Sequence, residues 1–242
     1  IQRGFDDFYG TMTGAGSFWD PYTLTRNTEP AVPDGEEYYY TDKIGAEAVR
    51  QIENFAKSDK PFFQYVAFTA AHWPMHAPEK SINKYLERYE GGWDKLRNER
   101  YARMLKMGII DKERFPLPER EGRVKDWESI DHKPWRIRNQ AIYAAMVDHM
   151  DQAVGKIVQS LRQTEQLDNT LIFYCADNGA SGEGTPHGSV NENKFFNNVP
   201  DDLAQNMAAI DELGGPEHFN HYPWGWTFAG NTPFRRWKRE TY

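Results

Sequence analysis

Asn169-Thr-Leu-Ile-Phe-Tyr-Cys-Ala-Asp177-Asn178-Gly179 decides the fold of this chain. A short apolar run ends abruptly in two oxygen-bearing side chains and a glycine. A buried strand of an α/β sheet delivers polar groups in this way to the crevice beyond its carboxyl end, where ligands and metals bind. Asp177 and Asn178 offer one charged and one neutral hard oxygen, a pairing suited to Ca²⁺ or Mg²⁺. The same residues also suit an Asx-turn after a strand, and spacing alone does not choose between ligand and turn.

Upstream of that run, Tyr143, Met146, Val147, Met150, Val154, Ile157, Val158 and Leu161 repeat at helical spacing and predict an amphipathic helix of about five turns. Leu167-Asp-Asn-Thr170 turns the chain into the strand expected at 171–176. An earlier copy of the pattern begins at Thr41, read as an N-cap. Ile44, Ala48, Val49, Ile52 and Phe55 follow as a helical face. Asp59 to Pro61 break the helix, and Phe62-Phe-Gln-Tyr-Val-Ala-Phe68 reads as a second buried strand. It runs into a loop carrying His72 and His76. Helix, strand and polar loop, given twice, predict an α/β fold. Residues 1–40 read as loops around a short strand or two, 80–107 as a charged helical region and 108–134 as a surface excursion. Residues 180–230 read as a long, aromatic-rich excursion with a helical piece near Asp201 to Leu213, and an excursion of that length is usually functional.

The chain has 242 residues and a formal net charge of −7, with no long basic cluster. Nucleic acid and anionic membrane surfaces are therefore disfavoured as partners. No apolar run is long enough to span a bilayer, so membrane insertion is not expected. The single cysteine, Cys175, excludes an internal disulfide and is read as a packed thiol inside the 171–176 strand. Aromatic clusters such as Tyr38-Tyr39-Tyr40 and Tyr222-Pro-Trp-Gly-Trp226 fit either a sugar or aryl pocket or plain loop packing.

Three further groups carry candidate chemistry. His72 and His76 are four apart, but Pro74 and Pro78 argue against a helical zinc pair. With few other Cys or His at ligand spacing, zinc is disfavoured. An imidazole on a loop at a strand end suits proton donation or anion contact, and equally a structural hydrogen bond. Lys238, within Arg235-Arg236-Trp-Lys238-Arg239, is either part of a solvated basic patch or a cation aimed at a tetrahedral anion.

Together these segments resemble the sulfatases, a branch of the alkaline-phosphatase-like superfamily. The resemblance rests on four ordered stretches: Arg3-Gly-Phe-Asp-Asp-Phe-Tyr-Gly10, Pro61 to Pro78 with its His-x-Pro loop, Tyr143 to Gly155, and Gly230-Asn-Thr-Pro-Phe-Arg-Arg-Trp-Lys238. It implies an α/β fold with a mixed, mostly parallel sheet and helices on both faces, and places residues 1–242 in the central and C-proximal part of a catalytic domain. It implies Asp177 and Asn178 as paired metal ligands, for Ca²⁺ rather than Mg²⁺. His72 becomes the histidine that contacts the sulfate and protonates the leaving oxygen, and Lys238 the lysine that binds the sulfate. The implied reaction is hydrolysis of an aryl or carbohydrate sulfate ester. A phosphodiester or phosphonate hydrolase of the superfamily, or a non-catalytic sugar-binding homologue, are the alternatives. An exported location, periplasmic or secreted, is implied too, while oligomeric state is not. The stretch His221 to Trp226 resembles larger bacterial arylsulfatase-like members, and the family pattern assigns no role to His76, Glu183 or His187.

The Cys- or Ser-x-Pro-x-Arg segment, whose first residue becomes the formylglycine nucleophile, is absent, as are the Asp-Asp metal pair and the Gly-Lys-x-His motif. In the family all of these lie upstream of the stretches matched here. The expectation is a piece of a longer protein, inactive by itself.

Overall fold

The computed structural model describes residues 4–35 and 37–240. Arg3, the first residue of one family-like stretch, lies outside them. Three short strands, β1 (Tyr9–Thr11), β2 (Leu24–Arg26) and β3 (Glu29–Pro30), form an antiparallel sheet in the order β1-β2-β3. Tyr9 pairs with Arg26 and Thr25 with Pro30. Helix α1 (Tyr40–Phe55) follows. Thr41 lies inside it rather than capping it; the N-cap is Tyr39, which makes no side-chain cap bond. The charged region 80–107 resolves into α2 (Glu79–Asn83), a 3₁₀ turn and α3 (Gly92–Lys106).

The longest element is α4 (Lys133–Gln163), 31 residues with Pro134 in its first turn. That position suits proline, whose missing N–H would be unpaired there anyway. Its length is about 46 Å. The inward face of α4 includes Ala141, Ile142, Ala145, Met146, Ala153 and Leu161, all buried; of the predicted stripe, Met146 and Leu161 are buried and the other six side chains are half-buried. Helix α1 crosses α4 where Gly45 faces Ala153, so closely that a β-carbon on Gly45 would sit 2.6 Å from that of Ala153. His149 of α4 closes the junction, with Asp42 Oδ1 at 2.8 Å from its Nδ1 and Ser81 Oγ at 2.8 Å from its Nε2.

Three short helices, α5 (Asn193–Phe196), α6 (Leu203–Ala208) and α7 (Trp224–Gly230), organise the C-terminal part. The aromatic clusters serve packing. Tyr38, Tyr39, Tyr40, Tyr222 and Trp226 are all buried. Trp93, Trp127 and Trp226 meet with ring centroids 4.9 to 5.5 Å apart. Their polar edges are satisfied by backbone, as buried indoles require. Trp226 Nε1–H donates to the Arg136 carbonyl at 2.7 Å and Trp93 Nε1–H to that of Lys125 at 3.0 Å. The 108–134 excursion is anchored through the same cluster, since Val124 and Trp127 are core residues.

Two expectations are corrected. The segments 62–68 and 171–176 are not ladder strands, and among the described residues the only sheet is the small antiparallel one. A strand needs a neighbour to receive its N–H and C=O groups, and none lies beside either segment. Exposure along 62–68 still alternates residue by residue, the signature of a one-sided strand. Its inward side docks on α1: Gln64 Nε2 donates to the Ala48 carbonyl at 3.0 Å, and Phe62 stacks on Phe55 at 5.3 Å. Residues 171–176 are exposed throughout. Cys175 is therefore an exposed thiol, not a packed one.

Candidate functional site

The loop after residue 176 is pinned to the Lys238 segment by backbone. Lys238 N–H donates to the Ala180 carbonyl at 2.9 Å, and Ala180 N–H reaches Asn231 Oδ1 at 3.4 Å. Gly179 is needed at this crossing, since a β-carbon there would lie 2.4 Å from Asn231 Oδ1. Asn231 in turn donates to the Arg236 carbonyl, closing the turn that presents Lys238. Asp177 and Asn178 stand exposed at the start of this loop.

Residues 181–185 then pass between α7 and His221. Thr227 Oγ1–H donates to the Ser181 carbonyl at 2.7 Å, and Ser181 N–H to Tyr222 Oη at 3.2 Å. Gly184 lies so near His221 that a β-carbon would fall 2.4 Å from its Nδ1. This loop delivers Glu183 to Lys238. Glu183 Oε2 lies 3.1 Å from Lys238 Nζ and accepts from Ser181 Oγ at 2.9 Å, while its Oε1 is 3.1 Å from Arg239. Burial pushes the Glu183 carboxyl up, but the Ser181 and Lys238 contacts, with both cations, outweigh it and hold the pKa below its ordinary value.

Behind Glu183 lie His221 and Glu192, both buried. A two-residue bridge places them: Ser189 and His221 exchange N–H···O bonds of 3.0 and 2.9 Å, and Glu192 N–H donates to the Phe219 carbonyl at 3.1 Å. His221 Nε2 is 3.5 Å from Glu192 Oε2. Burial lowers the His221 pKa to about 4, and the charges of His72 and Lys238 push the same way. Burial raises Glu192 to about 7, with the Glu183 charge adding to it.

His72 lies near enough to His221 for its charge to act on it. Its loop is stitched to 219–220: Trp73 Nε1–H donates to the Phe219 carbonyl at 2.7 Å, and Met75 N–H to that of Asn220 at 3.2 Å. The His72 ring is exposed, with Nδ1 2.8 Å from its neighbour's Trp73 carbonyl. His76 is a structural histidine: Nδ1 accepts from Phe18 N–H at 3.2 Å, and Nε2–H donates to the His218 carbonyl at 2.8 Å. His187 lies beside Arg136, 3.4 Å away.

The charges of His72 and Lys238 both reach His221, and Lys238 is bound by backbone to the Asp177–Asn178 loop. Among the described residues no hydrogen bond or ion pair joins Asp177, Asn178, His72 and Lys238 directly. The ammonium of Lys238 instead meets Glu183. Sequence reasoning gave Glu183 no role, although two flanking glycines, Gly182 and Gly184, marked a tight passage. Glu192 carried no signal, lying in a polar, Asn-rich stretch.

The Sulfatase profile matches residues 2–221. The chain belongs to the sulfatase family. It is 30% identical to an uncharacterized sulfatase of Schizosaccharomyces pombe, over 97% of this chain and 44% of that protein. It is 28% identical to an arylsulfatase of Klebsiella aerogenes, over 99% of this chain and 52% of that protein. The chain spans about half the length of these sulfatases. Among solved structures it is similar to Ps i-CgsB in complex with k-i-k-neocarrahexaose, with a TM-score of 0.46 and 24% identity, covering 74% of this chain and 33% of that one. No helix of this sulfatase chain is long and apolar enough to cross a membrane among the described residues.

Proposed function

We propose that this chain is the central and C-proximal part of a catalytic domain that, in the intact protein, hydrolyses an aryl or carbohydrate sulfate ester. The observation that carries this reading is the docking of the Lys238 turn on the Asp177–Asn178 loop through the 2.9 Å Lys238–Ala180 bond. Family membership and likeness to the Klebsiella arylsulfatase support it.

Asp177 and Asn178 fit a hard cation. Their oxygens are exposed, and among the described residues no ion pair or hydrogen bond engages them. Ca²⁺ takes six to eight oxygen ligands in flexible geometry, so these two supply part of its shell; Mg²⁺, with its stricter octahedron, is the weaker fit. Asp177 and Asn178 would hold part of the Ca²⁺ shell, and the ion would supply charge withdrawal from the sulfate there.

The chain's own residues do the rest. Lys238 has three N–H donors, and Glu183 leaves donors over for an anion. They offset charge on the equatorial sulfate oxygens. In His72, Nδ1–H donates to the Trp73 carbonyl, which leaves Nε2 to face the substrate. Its role is to give a proton to the ester oxygen as the S–O bond to the leaving group breaks, releasing R–OH.

The test is turnover by the full-length protein of an aryl sulfate against the matching phosphodiester. Lys238→Ala and Asp177→Ala should each lower sulfate-ester turnover on the order of 10²- to 10³-fold, and Asp177→Ala should also lower Ca²⁺ retention. Phosphodiester preference, binding without turnover, or variants equal to the parent would reject the assignment.

A further inference from the structure

We propose that Glu183, Glu192 and His221 form a buried site for one divalent cation of the zinc class, through residues other than Asp177 and Asn178. One ligand atom from each of the three side chains lies within 4.8 Å of the others.

The tautomer of His221 makes the case. Its Nδ1 lies 3.0 Å from the Tyr222 carbonyl, an oxygen that can only accept, so Nδ1 carries the hydrogen. Nε2 is then a lone pair. A metal-bound imidazole almost always donates its other N–H to a carbonyl or carboxylate in this manner. The lone pair points toward Glu192 Oε2, 3.5 Å away. That oxygen has no hydrogen-bond partner, and the Glu192 side chain is only 4% exposed. Two acceptors therefore face one another in a dry interior, which is costly unless something positive lies between them.

The spacing suits a metal better than a direct hydrogen bond. Two ligands of a tetrahedral ion with bonds of about 2.0 to 2.1 Å stand roughly 3.4 Å apart. Glu183 brings the third donor: its oxygens already accept from Ser181 and meet Lys238 and Arg239, but a carboxylate offers about four lone-pair positions. One nitrogen and two carboxylates suit Zn²⁺ or its neighbours in the transition series, whereas Ca²⁺ and Mg²⁺ take oxygen ligands. Bound there, the ion cross-links the 183 loop, the 192 turn and the 221 bridge. It also fixes Glu183, and through Glu183 the ammonium of Lys238.

The experiment is calorimetric titration of chelator-stripped protein with Zn²⁺, with zinc-edge anomalous diffraction from crystals of the loaded protein. One saturable equivalent per chain is expected, with an anomalous peak at about 2.0 to 2.2 Å from Glu192 and His221. Glu192→Gln and His221→Gln should weaken binding by about 100-fold or more, while Asp177→Ala leaves it in place. No saturable equivalent, or a peak elsewhere, overturns the proposal. So does equal affinity in Glu192→Gln, and the gap is then filled by a proton on Glu192. The diffraction arm needs no variant, so a variant that misfolds does not blunt the test. Because the readout is metal and not ester turnover, the site stands or falls separately from the sulfatase reaction.

Discussion

His76 is enclosed by the Phe18 amide on one ring nitrogen and the His218 carbonyl on the other. Burial drops its pKa from 6.5 to about 4. A histidine depressed in the folded state stabilises nothing extra above its unfolded pKa and penalises folding below it, because the unfolded chain takes up the proton first. Stability should hold above about pH 6.5 and fall toward pH 4, by roughly 3 kcal/mol from this residue. Denaturant midpoints across that range should show the slope, and His76→Asn should reduce it while His221, lowered in the same way, keeps the remainder. At the residue scale, the sequence offered its candidates unevenly. The Asp-Asn-Gly triplet, the His72 loop and the lysine turn stood out because each polar group follows an apolar or Pro-bearing run. Glu183 and Glu192 did not, since burial and partner are properties of the folded chain and a charged residue in a polar stretch looks solvated.

The crossing of α1 and α4 depends on Gly45 lying flat against Ala153. Glycine costs a helix up to about 1 kcal/mol in propensity, so its presence inside α1 needs a packing reason, and the close approach supplies it. Gly45→Val should push the helices apart and destabilise the protein by about 1 to 3 kcal/mol. Urea unfolding measures this, and an unchanged midpoint would show that the helices slide freely. Helix periodicity was legible because a helix completes its own backbone hydrogen bonds. The stripe from Tyr143 to Leu161 specified α4 without reference to any other segment. A strand is different: apolar runs at 62–68 and 171–176 state a willingness to pair, and pairing also needs a neighbour. The antiparallel trio in the first 30 residues formed where short strands found each other.

Across the whole molecule, the consequence is two exposed strips of large apolar side chains, one within 62–68 and one within 171–176. Phe63 is 77% exposed, Leu171 79% and Phe173 85%. Exposed apolar runs of this kind mark places where other polypeptide is accommodated. With Phe173 in water, Phe173→Ser should change the stability of this chain by less than about 0.5 kcal/mol. Burial in a sheet would instead predict a loss nearer 3 to 5 kcal/mol for so large a truncation. Thermal or urea unfolding of the 242-residue chain separates the two, and a loss in the higher range would place residues 171–176 in a packed sheet. A mix of helices and strands was legible, but the mostly parallel sheet expected of the apolar runs is not formed among the described residues, because pairing depends on chain-to-chain neighbours.

Cys175 lies in the second strip, two positions before Asp177, and it is the chain's one sulfhydryl. A maleimide dye or nitroxide would therefore attach at a single known point beside the Asp177–Asn178 loop without any engineering. The speed of that labelling gives a running measure of how far the strip is covered, from one preparation or partner to the next.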